Sequence, residues 1–281
     1  MAGKVYFGNA NYQTWIKAPT SGMAAGSNGY ISQQQLLSGR TSIKRSRASS
    51  RTFEPSWVGG LDQAADGLEV INDFANGFYG DGPFYWVDPF AMDRNILPPH
   101  WSAPHLTERD WPKLANEGTF IYSTLPSPAG NNFPYKYMTY SNTGTNTRVL
   151  SIIVPDGYTF HFGWHNLHAT DLGVAIDIID STGGYTTEMP YSMLAGSTTR
   201  TNFSVNGGTA CKMVNIYLQD TCQIVSMTGL ILPTGASVPT GNFVTGKGTT
   251  ALEFTKIPSI EYYSSALNGG QVGMSASFVE V

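Results

Sequence analysis

Tyr158-Thr159-Phe160-His161-Phe162-Gly163-Trp164-His165 alternates without a break, an aromatic residue at every even position and a small or polar one at every odd position. Successive side chains of a β-strand point to opposite faces, so the stretch reads as a strand with one face turned to a core. A helix would scatter the four rings around its circumference. Downstream, Gly173 to Asp180 sets Val174, Ile176 and Ile178 against Ala175 and Asp177. Arg148–Val154 comes before this pair, and Arg200–Val205, Lys212–Leu218, Gln223–Leu232, Thr250–Phe254 and Val272–Val279 come after it as further strand candidates. Gly, Asn, Asp or Pro stands in nearly every gap. About eight to ten short strands at such spacing predict a two-sheet sandwich of jelly-roll or galectin-like type over residues 141–281.

Composition agrees with a mainly β protein. Of 281 residues, 31 are glycine and only 13% are charged, about half the ordinary share of 25%. That profile suits either a neutral-surfaced β-sandwich or an assembly subunit whose surface is covered by neighbours. The net charge of −4 argues against bulk attraction to nucleic acid. Cys211 and Cys222 are too few for a disulfide framework and read as buried free thiols, with a bridge across a hairpin as the alternative. The opening residues lack the apolar core of a signal peptide, and no apolar run approaches the ~20 residues a membrane helix requires. The expectation is a soluble protein that stays in the compartment where it is made.

The first half reads differently. Lys4–Gly8 and Thr14–Ile16 are short strands, and residues 18–29 are a loop. Arg40, Lys44, Arg45, Arg47 and Arg51 make a basic run in which Ser46 to Phe53 is strand-like. No aromatic interleaving points that run to nucleic acid, so it reads as a subunit contact or a solvated face. Leu61 to Tyr79 is the one predicted helix, with Leu68, Ile71, Phe74 and Ala75 at helical spacing, Asp62 and Asp66 near its start and Asn76-Gly77 as its stop. Pro126, Pro128 and Gly130 to Asn132 form a breaker cluster. These signals divide the chain into a β-rich domain with one helix at 1–125, a linker at 126–140 and the sandwich at 141–281.

Between helix and breaker lies Asp81 to Trp111, DGPFYWVDPFAMDRNILPPHWSAPHLTERDW, with three of the six tryptophans and five of the 16 prolines. Phe84-Tyr85-Trp86-Val87 is a strand ended by Asp88-Pro89. The remainder has no period and too much aromatic surface for a solvated linker. It reads as an extended, non-helical crossing between two packed bodies, anchored by Trp101 and Trp111.

The run FYGDGPFYWVDP, with Asn95-Ile96-Leu97-Pro98-Pro99 and Trp101 after it, resembles the minor tail proteins of long-tailed actinobacterial phages, and among these the distal tail protein family. Gly248 to Val281, GTTALEFTKIPSIEYYSSALNGGQVGMSASFVEV, is similar to that family's closing segment. Neither stretch is a catalytic signature. The resemblance implies a ring-forming N-terminal domain that attaches to the tail tube, a projecting sandwich, sixfold self-association and a channel through which DNA passes. It further implies the tail tube protein, the tape measure protein and tail-tip proteins as partners, a place at the tail tip of a virion assembled in bacterial cytoplasm, and no membrane. Arg45, Arg47, Arg51, Phe84, Trp86, Trp101 and Trp111 are the candidate interface residues.

Catalytic and metal signals are weak. His161, His165 and His168 form H-x3-H-x2-H. On a strand the first two stand ~13 Å apart at ~3.3 Å per residue, too far for one ion, and His165 with His168 across a turn is the alternative to a polar sheet face; no metal and no cofactor is expected. There is no G-x-S-x-G, H-E-x-x-H or P-loop. Asp177 and Asp180 could in principle serve a glycoside hydrolase, but any chain of this size holds many carboxylate pairs. The expectation is no enzyme. Tyr185, Tyr191, Tyr262 and Tyr263 admit three readings: glycan stacking, protein contact or core. They keep open an alternative function, a carbohydrate-binding sandwich that recognises host cell-wall glycan.

Overall fold

The computed structural model describes residues 3–22, 26–27, 31–35, 41–45, 51–62, 67–102, 119–124, 136–141, 147–166, 173–192, 201–218, 221–239, 246–249, 251–262 and 271–281. In chain order these hold β1 (Lys4–Gly8), β2 (Gln13–Lys17), β3 (Gly26–Ser27), β4 (Ile31–Gln35), β5 (Thr41–Arg45), β6 (Arg51–Phe53) and β7 (Ser56–Asp62). Then come α1 (Leu68–Ala75), β8 (Tyr85–Val87), α2 (Pro89–Met92) and α3 (Pro99–Ser102). A long run of strands follows: β9 (Thr119–Thr124), β10 (Lys136–Ser141), β11 (Thr147–Ile153), β12 (Tyr158–Asn166), β13 (Gly173–Ile179), β14 (Tyr185–Ser192), β15 (Thr201–Asn206), β16 (Met213–Leu218) and β17 (Thr221–Pro233). The chain closes with β18 (Leu252–Phe254), β19 (Ser259–Tyr262), β20 (Gln271–Ser275) and β21 (Phe278–Glu280).

The alternating stretch lies on β12, as its period predicts. A five-stranded sheet, β15-β12-β17-β10-β9, and a four-stranded sheet, β11-β16-β13-β14, form an antiparallel β-sandwich. Phe160, Phe162 and Trp164 are buried in one cluster with Phe203 and Ile231 of their own sheet and Ile152, Ile176, Ile178, Val214 and Ile216 of the other. Side chains two apart share a strand face, which sets Phe162 against Trp164 with ring centroids 5.1 Å apart. Cys211 is buried in this core, and burial pushes its thiol up to about 12.

A second core is built from both ends of the chain. β21 pairs with β6, and β20 pairs with β7. Phe7, Trp57, Leu68, Ile71, Phe74, Phe84, Trp86, Leu252, Met274 and Phe278 cluster there. The expected division at 126–140 is therefore corrected on two counts. Residues 251–281 contribute strands to the sheets of residues 51–62, not to the sandwich. β9 and β10, one from the expected first domain and one from the expected linker, are sandwich strands. The proline-rich breaker joins two neighbouring antiparallel strands. It marks a connection, and local breaker chemistry does not distinguish a hairpin connection from a domain linker.

The helix is shorter than its pattern predicts. Leu61 and Asp62 belong to β7, where they pair with Val272 and Gln271. Gly67 holds a left-handed conformation, φ 75°, at the start of α1, and a Cβ there would stand 2.7 Å from Ile16 Cγ2. Leu68, Ile71 and Phe74 are the buried stripe, and Asn76 and Gly77 end the helix as expected. Asp62 is thus a strand residue, and the acid in the first turn is Glu69. Asp66 lies outside the described residues.

Candidate functional site

The two cores meet at the three-stranded sheet β2-β1-β8. Val5, Phe7, Ile16 and Trp86 face the second core, whereas Tyr6, Trp15, Tyr85 and Val87 face the sandwich. The register explains the split: Tyr6 lies opposite Trp15 and Val87, and Phe7 opposite Trp86. A sheet buried on both faces needs continuous apolar runs. Val5-Tyr6-Phe7 and Phe84-Tyr85-Trp86-Val87 supply them.

The crossing then seals itself to the sandwich through Asn95, which is 1% exposed. Its amide Nδ2 donates to the Met227 carbonyl at 3.2 Å, and its Oδ1 accepts from the backbone N–H of Gly229 at 3.1 Å and of Leu97 at 3.2 Å. The N–H of Ile96 donates to the Gly229 carbonyl at 2.9 Å. The side-chain amide thus stands in for a peptide group and continues the ladder along β17. Trp101, on α3, is buried in the same core. The crossing is an anchored bridge as expected, but Pro89 and Pro99 each open a one-turn helix, so the non-helical expectation is corrected. Proline suits a first helical position because no N–H is required there. Asp88 caps α2 by accepting from Phe90 N–H at 2.9 Å, and burial raises its carboxyl against the lowering effects of that bond and of Lys247.

Gly246 to Thr249 closes the junction. Gly246 N–H donates to Ser102 Oγ at 2.7 Å, Lys247 N–H to the Asn95 carbonyl at 3.1 Å and Gly248 N–H to the Leu97 carbonyl at 3.1 Å. The backbones lie so close that a Cβ on Gly248 would fall 1.5 Å from the Ile96 oxygen, and one on Gly246 2.0 Å from the Leu97 oxygen. Arg51 reaches the same place. Its Nη2 donates to the Gly248 carbonyl at 2.8 Å, and its fork grips Glu280 with Nε–Oε2 at 2.7 Å and Nη2–Oε1 at 2.5 Å. The cavities beside this junction measure about 30 Å³ and 20 Å³. Each has room for a water-sized occupant, far below the ~300 Å³ of a small-molecule site.

Several predicted interface residues lie inside the subunit. Phe84, Trp86 and Trp101 are 2%, 7% and 1% exposed, so their rings serve the two cores and offer no surface to a neighbour. Arg51 is occupied within its own chain. Sequence cannot distinguish an aromatic that packs within the subunit from one that packs between subunits, because the chemistry is the same. Arg45 stands on β5, opposite Ile31. Arg47 and Trp111 lie outside the described residues. Tyr185 and Tyr191 sit on the edge strand β14, paired with Ile179 and Val174, whereas Tyr262 sits on β19 opposite Val272. The candidate glycan residues thus fall in different sheets, and Tyr263 lies outside the described residues. His161 Nδ1 lies 2.8 Å from Ser204 Oγ across the sheet. His165 continues β12 opposite Ser226, and His168 lies outside the described residues. Asn95, Gly246, Gly248 and Glu280 went unremarked as functional residues. The signal available for the glycines was G-K-G before a strand, since paired glycines there mark close backbone approach.

The Arg51 geometry carries a stability prediction. Its side chain is 20% exposed and that of Glu280 7%. Removing the arginine takes a two-point ion pair from a buried carboxylate and a hydrogen bond from the Gly248 carbonyl. Arg51→Ala should therefore cost about 2–4 kcal/mol in urea denaturation. A change below about 0.5 kcal/mol would mean the pair behaves as a solvated surface pair.

No protein-family model and no curated protein matches this chain. Among solved structures, it is similar to the enzymatically active domain of bacteriophage CBA120 tailspike protein 4 at 12% identity and a TM-score of 0.32, over 52% of this chain and 22% of that one. It is similar to the VP2 subviral particle of infectious bursal disease virus at 10% identity and a TM-score of 0.26, over 99% of this chain and 76% of that one. The chain spans about a fifth of the tailspike domain's length. Both TM-scores fall below 0.5, so neither likeness carries a function to this chain.

Proposed function

We propose that this chain is a virion structural protein, a ring subunit of distal-tail type that joins the tail tube to the tip and leaves a channel for DNA. One observation carries the reading. The two stretches that resemble the distal tail family, residues 78–101 and 248–281, pack against each other at one junction, where Asn95 and Gly248 bind the two cores into a single unit. A joint buried on both faces suits a part that transmits force between neighbours. The proposed partners are further copies of the chain in a sixfold ring, the tail tube protein, the tape measure protein and tail-tip proteins, and the proposed place is the tail tip. Negative-stain images of the purified full-length protein test it. Closed rings with a central opening are expected at micromolar concentration. Solely monomeric particles, or release of reducing sugar from cell wall by the protein, would replace this reading with a binding module or a hydrolase.

A further inference from the structure

An open groove of about 370 Å³ lies at the C-terminal end of α1, lined by Asn76, Gly77, Asp81, Gly82, Glu253 and Phe254 among others. It is negative in three respects. Asp81 and Glu253 are exposed, and among the described residues neither meets a basic side chain of its own chain. The last turn of α1 carries Asp73 and no basic residue. The helix end itself holds a partial negative charge that favours a cation. Exposed aromatic surface follows directly on Gly77 of the groove. Phe78 is 79% exposed, beside Tyr79, whose ring stacks on Tyr12 at 4.5 Å and 11°. An uncompensated acidic groove beside exposed aromatic rings fits a basic peptide segment with some apolar character.

The chain carries such a segment. β4 and β5 form a two-stranded sheet that pairs with no other among the described strands, Ile31 lying opposite Arg45 and Ser32 opposite Lys44. An isolated two-stranded hairpin is marginal in water and gains most from docking on another body. We propose that the β4–β5 hairpin of one copy docks in the acidic groove of the next, the basic end of β5 at Lys44-Arg45 supplying the charge that answers Asp81 and Glu253. This rests on the ring reading and names its contact. Hairpin on one side and groove on the other make a heterologous interface, the kind that closes into a ring.

Sedimentation velocity of the full-length protein tests it by charge reversal. Asp81→Lys with Glu253→Lys should weaken assembly at least about tenfold, and Lys44→Glu with Arg45→Glu should do the same. The thermal midpoint of the groove variant should stay near wild type, since both acids are exposed. Combining all four substitutions should return assembly to within about threefold of wild type. An assembling wild type whose reversed variants assemble equally well overturns this contact and leaves the ring standing. So does a fourfold variant that fails to recover. A wild type that never assembles overturns the ring reading and the contact with it. Loss of binding to muramidase-digested peptidoglycan fragments in the groove variant, with sedimentation unchanged, would make the groove a sugar site and overturn the proposal.

Discussion

Residues 141–281 expressed alone should remain unfolded, and the same segment co-expressed with residues 1–140 should copurify with it as a folded particle. The break leaves only Ser141 of β10 on the segment, so the strand is lost with the first half. The isolated segment loses its partners. β17 loses Met138, Thr139 and Tyr140 of β10, which pair with its start. β20 loses β7, and β21 loses β6. Glu280 keeps a mostly buried carboxylate and loses Arg51. The sandwich also loses Tyr85, Val87, Leu97 and Trp101 from its core. Burial of an apolar side chain stabilises by about 2 kcal/mol, so these four alone account for on the order of 8 kcal/mol. That is comparable to the net stability of a whole domain, about 5–15 kcal/mol. Far-UV circular dichroism and size-exclusion chromatography decide the matter. A cooperative thermal transition from isolated 141–281 would show that the crossing and the returning strands are dispensable to the sandwich.

Asn95→Ala and Gly248→Ala should be the most destabilising single substitutions at the junction, for different reasons. Alanine at 95 removes an acceptor shared by the N–H groups of Gly229 and Leu97 and a donor to the Met227 carbonyl, all buried. Each buried group left unsatisfied costs about 1–3 kcal/mol, so a loss of about 3–5 kcal/mol is expected. Asn95→Asp keeps the shape and the acceptor but loses the donor, and it places a charge against a carbonyl, so it should not rescue. At Gly248 the cause is space. A methyl group placed 1.5 Å from a backbone oxygen forces the two segments apart, and about 3 kcal/mol or more is expected. At ~2–4 °C per kcal/mol in a chain of this class, each variant should melt roughly 6–20 °C below wild type. Differential scanning calorimetry of the three variants checks this. A shift under about 2 °C for Gly248→Ala would mean that the return segment can move away from Ile96 at little cost.

The strands were legible because their signal is local. Tyr158 to Trp164 declares a strand with one buried face through period alone, and β1, β12 and β16 fall where apolar patterning puts them. Two-sided burial of the crossing was also legible, since Phe84-Tyr85-Trp86-Val87 has no polar face to give to water. The helix start was not. Leu61 fits a helical stripe as well as a strand, and only its place opposite Val272 settles the matter. At the junction, an asparagine between Arg94 and Ile96 reads locally as a turn residue. Its role as a substitute peptide group depends on β17, more than 130 positions away.

The sequence by itself determined the mainly β class of the protein, the sandwich strands β11, β12, β13, β15, β16 and β17, and a crossing between two packed bodies. It did so because side-chain alternation, breakers and aromatic content act within a few residues. Tertiary structure alone decided which strands pair, and so where each core ends. A ladder is made of backbone groups that every residue carries, and nothing in β20 or β21 names β7 or β6 as its partner. The same holds for the aromatic residues and Arg51. Their chemistry marks them for burial and for ion pairing, and only the fold decides that Glu280 of the same chain, and not a neighbour, answers the arginine.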